Sequence, residues 1–280
     1  MRGDDRRIVL GLYRSGPSRA VLERALEVGI TAVDTAYNYG RYEGHRALAS
    51  EAGELLGRFE VSTKVGYFPD GHDLDPVRLR TAVAEAGEAL GRVPDTVFLH
   101  NPEHDPGRFA VACEALATCQ AAGLCRAWGV ATWNPLPLVP VAAGLSVRPE
   151  VVMVRAGLAV PGPVLDAAEN LAHEMSARTV WGMAPFAGNP SDQVWSGIDT
   201  GLFLEPGQPA VSSVQARLAA AFAVPSVSRI AVGTSRPDHL AELAAATRVA
   251  ASAQTVHAYR TLLRERAGHG KEAARAAHHG

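Results

Sequence analysis

The chain has 280 residues, 47% hydrophobic and 20% charged, with 27 basic and 29 acidic side chains. That composition can bury one large α/β core and excludes a disordered chain. The near balance of charge, without a basic stripe, argues against a nucleic-acid binder.

In chain order, short β-branched runs alternate with longer stretches of helical period. Strands are expected at 7–13 (RIVLGLY), 31–35 (TAVDT), 59–64 (FEVSTK), 96–100 (TVFLH), 126–131 (RAWGVA), 150–155 (EVVMVR), 178–183 (RTVWGM) and 229–233 (RIAVG). Between the first two, Ser18 to Val28 reads as a helix stopped by Gly29. Over 76–90, Leu79, Val83, Ala86 and Leu90 share one helix face, with Asp75 as the cap, Pro76 in the first turn and Gly91 as the stop. Segment 187–210 is the longest irregular stretch, of a length that is usually functional or disordered. Helix 253–266, with Val256, Tyr259, Leu262 and Leu263, is expected to pack outside the sheet or close its bottom, and it could equally support a dimer. Residues 267–280 read as a flexible tail. No apolar run reaches the ~20 residues of a membrane span, and the first apolar run is too short for a signal peptide. Cys113, Cys119 and Cys125 are odd in number, so a reduced, cytoplasmic protein is expected rather than a disulfide framework.

Eight βα units in roughly 250 residues predict a closed (β/α)₈ barrel, the TIM barrel, as one domain over 1–266. The rival open sheet carries a glycine fingerprint after its first strand, and GLYRSGPS lacks one.

In such a barrel, polar residues at C-terminal strand ends face the active-site mouth. Strand two ends in Asp34, with Tyr39 in the loop beyond; strand three ends in Lys64 and strand four in His100. These groups suit reduction of a carbonyl. The alkoxide left by hydride transfer needs a proton, which Tyr39 can supply. Lys64 would favour the phenolate, Asp34 would hold the Lys, and His100 would hydrogen-bond the developing oxyanion. Taken singly, each residue also has an ordinary structural reading as a cap, a solvated cation or a loop contact. At the eighth strand, Gly233, Thr234 and Ser235 lead into a helix near Pro237, a place that favours phosphate, where Arg236 can offer its planar fork. His104 and the His278–His279 pair lack partners at metal spacing, so no metal is expected.

The motif DTAYNYG followed by Glu43, then STK, FLH, WGVATWN (128–134) and AVGTSRPDHLAE (231–242), resembles the aldo-keto reductase superfamily from about residue 7 to residue 247. The resemblance implies NADP as cofactor, a small carbonyl or alcohol substrate, Tyr39 as proton donor, and a phosphate segment extending through His239 and Glu242. It also exposes departures. Ala131 and Thr132 stand where the family has a Ser-Asn pair for the nicotinamide carboxamide. Met153 replaces a Gln, Met183 replaces the stacking aromatic, and Leu243 replaces an Asn. Thr132 and Asn134 are expected to take over the amide contacts, with Met183 against the ring. These changes leave two alternatives beside a reductase: a barrel using the same four residues for elimination or cyclisation, and a nucleotide-binding module without catalysis. Expected substrate walls are Tyr13, Tyr37, Tyr67, Trp133 and Phe186. Arg155, two residues beyond Met153 and on the same strand face, is expected to meet an acidic or acceptor group of the substrate or to close the barrel top in a salt bridge.

Overall fold

The computed structural model describes residues 7–188, 191, 193–208 and 210–278, with side chains described through Gly268. Eight parallel strands close into a barrel, and a two-stranded hairpin sits on its rim. In chain order the strands are β1 Ile8–Gly11, β2 Ala32–Asp34, β3 Glu60–Val65, the hairpin β4 Tyr67–Phe68 and β5 Gly71–His72, then β6 Thr96–His100, β7 Ala127–Thr132, β8 Val151–Arg155, β9 Thr179–Met183 and β10 Arg229–Val232. Around the barrel the order is β1-β10-β9-β8-β7-β6-β3-β2. All eight expected strands therefore form, and β1 pairs with both β2 and β10 to close the ring.

Period two sorts each strand into an inner and an outer face. Val9, Ala32, Phe98, Ala131, Val151, Met153, Trp181 and Ala231 fill the barrel interior. At its N-terminal end Arg229 lies over the Trp181 ring, 5.0 Å from the centroid, and pairs with Glu60 at 2.6 Å. Outward residues meet the helices α1 Arg19–Glu27, α2 Gly44–Ala52, α3 Pro76–Leu90, α4 Phe109–Ala121, α5 Val139–Ala142, α6 Gly162–Glu174, α7 Ser213–Ala221 and α8 Pro237–Ala246.

Helix α3 spans the expected residues for the expected reasons. Asp75 Oδ1 accepts from the backbone N–H groups of Val77 and Arg78 at 3.0 and 3.1 Å, and Gly91 ends the helix in the left-handed region. The last helix, α9 Ala253–His278, packs outside the barrel. Arg260 clasps Asp166 and Glu169 of α6, each at 2.6 Å, and the Tyr259 hydroxyl donates to the Leu158 carbonyl oxygen. Val256, Tyr259 and Leu263 join the packing, while Leu262 stays exposed. The helix continues through 267–278, where composition alone suggests a frayed tail; residues 279–280 lie outside the described residues. Among the described residues no helix is long and apolar enough to cross a membrane.

Candidate active site

The barrel mouth begins with a buried ion pair. Asp34, at the end of β2, pairs in register with Ser62 of β3, so both face inward. Lys64 stands one inward step further along β3. Its Nζ donates to Asp34 Oδ2, to the Thr35 carbonyl oxygen at 3.1 Å and to Tyr39 Oη at 3.4 Å. Ser62 Oγ donates to Asp34 Oδ1 at 2.9 Å, so both carboxylate oxygens are occupied. Asp34 and Lys64 are 4% and 3% exposed, which makes the pairing obligatory for two charges removed from water.

Tyr39 is held by an unusual turn. Gly40, Arg41 and Tyr42 follow it with φ of 58°, 55° and 72°, a left-handed run that costs two non-glycine residues roughly 1–2 kcal/mol each. Helix α2 then starts directly against it: a Cβ on Gly44 would lie 2.9 Å from the Tyr39 carbonyl oxygen. Turn and helix together clamp the phenol over Lys64, whose Nζ is 5.2 Å from the Tyr39 ring centroid. Tyr13, 66% exposed, covers the other side with its ring 5.1 Å away.

His100 ends β6 with its ring 6.2 Å from that of Tyr39, and its Nδ1 is buried without a hydrogen-bond partner among the described residues. The β4–β5 hairpin, which has no clear signal in the sequence, lays Tyr67 edge-on to His100 at 4.9 Å. His72 of the same hairpin places Nε2 2.9 Å from the His100 carbonyl oxygen, and Asn101 Nδ2 donates to Tyr67 Oη at 3.3 Å. Tyr13, Tyr67 and Trp133 thus line the mouth. Among the described residues no cluster could hold a metal ion.

The protonation states follow from burial and neighbours. Burial pushes the Tyr39 phenol up. Lys64 pulls it down and Asp34 pushes it up again, so it ends above the ordinary tyrosine value. Lys64 acts in the expected direction but does not prevail, and Tyr39 is a protonated phenol at neutral pH. Burial works against the Lys64 charge, yet Asp34 and Tyr39 outweigh it and raise its pKa. Burial, then the Lys64 ammonium, drive His100 well below the usual histidine value, so its imidazole is neutral.

Beyond β6 the site departs from expectation through Glu103. Asn101 takes a left-handed conformation (φ 51°), and the 3-10 turn Pro102–His104 that follows carries Glu103 back over the end of β7. There its carboxylate accepts from Thr132 Oγ1 at 2.8 Å and from the backbone N–H groups of Trp133 and Asn134 at 2.7 and 2.9 Å. Of the two residues expected to hold an amide, Thr132 already donates its hydroxyl to Glu103, while Asn134 gives Glu103 only its backbone N–H. Asn134 also turns its Oδ1 to the Leu136 N–H in its own loop, at 3.4 Å. Met153 is fully buried in the barrel interior, while Met183 is partly exposed at the rim. Arg155, in register with Met183, donates from Nε to the Trp133 carbonyl oxygen at 2.8 Å and lies 4.9 Å from the Trp133 ring centroid. No salt bridge among the described residues closes the barrel top through it.

Two expected substrate walls face elsewhere. Tyr37 packs against Phe68 behind the hairpin, and its hydroxyl donates to Glu85 of α3 at 2.5 Å. Phe186 is 9% exposed and belongs to the core between barrel and helices. Both lie beside mouth residues in sequence but point outward, because adjacent loop residues need not share a face.

At the β10–α8 corner, a Cβ on Gly233 would sit 2.4 Å from the Gly11 carbonyl oxygen, so only glycine lets β10 approach β1 there. Gly233, Ser235, Arg236 and His239 are exposed, and no side chain caps α8. Thr234 Oγ1 accepts from the Arg236 N–H at 3.1 Å and lies 3.4 Å from His239 Nδ1. The Arg236 fork is not free: it pairs with Asp238 of its own helix at 2.6 Å. Glu242 accepts from Ser212 Oγ instead of facing the corner alone.

Known proteins resemble this arrangement. A Bacillus halodurans aldo-keto reductase in its holo form superimposes with a TM-score of 0.71 at 18% identity, covering 92% of this chain and 91% of that one. A Klebsiella pneumoniae aldo-keto reductase in complex with NADPH gives 0.67 at 19% identity over 92% and 90% of the two chains. An aldose reductase of Giardia lamblia gives 0.67 at 17% identity over 95% and 94%. At these identities the likeness establishes the fold. The family model described as the aldo/keto reductase family matches residues 8–152, more than half of the chain, and the chain belongs to that family.

Proposed function

We propose that this protein is an NADPH-dependent reductase of a carbonyl compound, or the corresponding alcohol dehydrogenase. The observation that carries the reading is Tyr39, a protonated phenol clamped 3.4 Å from the buried Lys64 ammonium and edge-on to a neutral His100. A group that must supply one proton and tolerate the resulting charge needs this environment.

The β10–α8 corner fits a dinucleotide phosphate, since the start of α8 has no side-chain cap and Gly233, Ser235, Arg236 and His239 are exposed beside it, where the helix dipole favours an anion. Met183 and Trp133 supply an apolar rim for a flat ring. Bound there, NADPH supplies the hydride to the carbonyl carbon. The chain's own residues do the rest. The carbonyl oxygen accepts hydrogen bonds from Tyr39 Oη–H and from the His100 imidazole, which fixes the face presented for attack. As the C–O π electrons move to oxygen, the Tyr39 proton passes to it. The phenolate left behind is balanced by Lys64, and Asp34 keeps that ammonium in place. Tyr39 then regains a proton through the open mouth.

Tyr39→Phe tests this directly. It removes the donor and little packing, so turnover should fall by ~10²–10⁴ while NADPH affinity and the melting temperature stay near wild type. A loss below about tenfold sinks the assignment. One observation favours a second reading, acid–base chemistry without redox change: Glu103 occupies the donors at the end of β7. A fluorescence titration separates the two, because failure to bind NADPH at millimolar concentration leaves only the non-redox barrel.

A further inference from the structure

We propose that Arg155, stacked on Trp133 at the barrel rim, receives a carboxylate of the substrate, so that the preferred substrates are carbonyl compounds carrying a carboxylate on a flat apolar spacer. The assignment of the carbonyl end rests on the reductase reading above.

The argument starts from what Arg155 lacks. A guanidinium offers five N–H donors and cannot lose its charge at physiological pH. Among the described residues Arg155 uses one donor, from Nε to the Trp133 carbonyl oxygen, and enters no ion pair. Burial disfavours its charge and Glu103 offsets this only in part. Glu103 is the natural partner by proximity, yet its carboxylate is spent on Thr132 and two backbone N–H groups, which hold it over β7. A planar cation with unused donors thus sits beside a small recess of about 100 Å³ lined by Trp133, Ala156, Ala159, Pro185 and Ala187. The turn that walls this recess is strained, with Ala184 and Ala187 at φ of 53° and 52°. Its inner surface is apolar, so a charge entering it has Arg155 as its partner.

Geometry sets the class of ligand. A single guanidinium matches the planar two-oxygen edge of a carboxylate, whereas a phosphate dianion calls for a second cation. The recess holds a group of a few heavy atoms rather than a whole substrate. In the ring of strands, β8 stands four places from β2 in either direction, so Arg155 and Asp34 end strands on opposite sides of the mouth. A substrate touching both ends needs a spacer, and exposed Tyr13 and Trp133, with half-buried Tyr67, offer aromatic walls for a flat one.

The test compares 4-carboxybenzaldehyde with its neutral counterpart methyl 4-formylbenzoate, following NADPH oxidation by wild type, Arg155→Gln and Arg155→Lys. Calorimetric titration of benzoate into the same three proteins, without cofactor, reads the subsite independently of turnover. Arg155→Gln should raise KM for the acid ~10-fold or more relative to the ester and weaken benzoate binding in step. Arg155→Lys, which keeps the charge but loses the fork, should fall between. Equal effects on acid and ester, or benzoate affinity indifferent to Arg155, overturn the proposal even if both aldehydes are reduced. If neither aldehyde is reduced while benzoate binding still depends on Arg155, the reductase reading fails and the carboxylate subsite stands.

Discussion

Replacing Lys64 by Met should destabilise the protein through a partner that the substitution does not touch. Met keeps an unbranched stem of similar length and removes only the ammonium. Asp34 then keeps Ser62 Oγ at 2.9 Å on Oδ1 but loses its donor on Oδ2. The two side chains are 3% and 5% exposed, so water cannot replace that donor. Breaking a buried pair from one side costs about 3–5 kcal/mol, because a charge is left without compensation. For a chain of 280 residues, at about 2.1 cal/mol/K of unfolding entropy per residue, that corresponds to a fall in Tm of roughly 5–9 °C. Asp34→Asn should cost a similar amount, since Lys64 keeps only the Thr35 carbonyl oxygen and Tyr39 Oη. The double variant carries neither charge, and its loss should be smaller than the sum of the single losses by about 1–3 kcal/mol. Urea denaturation followed by circular dichroism measures all three variants. A Lys64→Met protein within ~1 kcal/mol of wild type, the range of an exposed pair, refutes the reasoning. So do single losses that simply add.

Two further outcomes follow from individual side chains. His45 is buried on α2 against Thr63 Oγ1, 2.6 Å away, and burial lowers its pKa to about 4. The unfolded chain takes up a proton near pH 6.5 that the folded chain refuses until about pH 4, so stability from this group is complete above that window and falls as the pH drops through it. The loss reaches about 3 kcal/mol near pH 4; His45→Gln should flatten the stability profile there, and a slope identical to wild type counts against the assignment. At the β10–α8 corner proposed for the cofactor phosphate, Arg236→Ala should weaken NADPH by ~10-fold or more while sparing NADH, and Asp238→Asn, which releases the fork from its ion pair, should tighten NADPH. Equal changes for both cofactors would assign Arg236 a purely structural role at the start of α8.

The barrel was legible because its signals are local. Eight β-branched runs at βα spacing, the Asp75 cap and the Gly91 stop each act over a few residues, and a strand or helix answers to those terms whatever surrounds it. The set of Asp34, Tyr39, Lys64 and His100 was legible for a related reason: in a parallel barrel every strand end arrives at the same rim, so position along the strand already reports position in space. What lies between strands obeys no such rule. Tyr37 and Tyr39 are two residues apart, yet one packs behind the hairpin and the other enters the mouth, because a left-handed turn and the close start of α2 decide the direction. Glu103 reads as an ordinary loop acid until Asn101 bends the chain back over β7 and gives it three donors. The net protonation of Tyr39 likewise depends on burial against two opposing charges, a balance that spacing cannot express. Local sequence thus determined the elements and which side chains gather at the strand ends. Only the closed tertiary structure decided which neighbouring groups spend their hydrogen bonds on each other and which, like Arg155, still have them to offer, because that partition depends on distances between segments far apart in the chain.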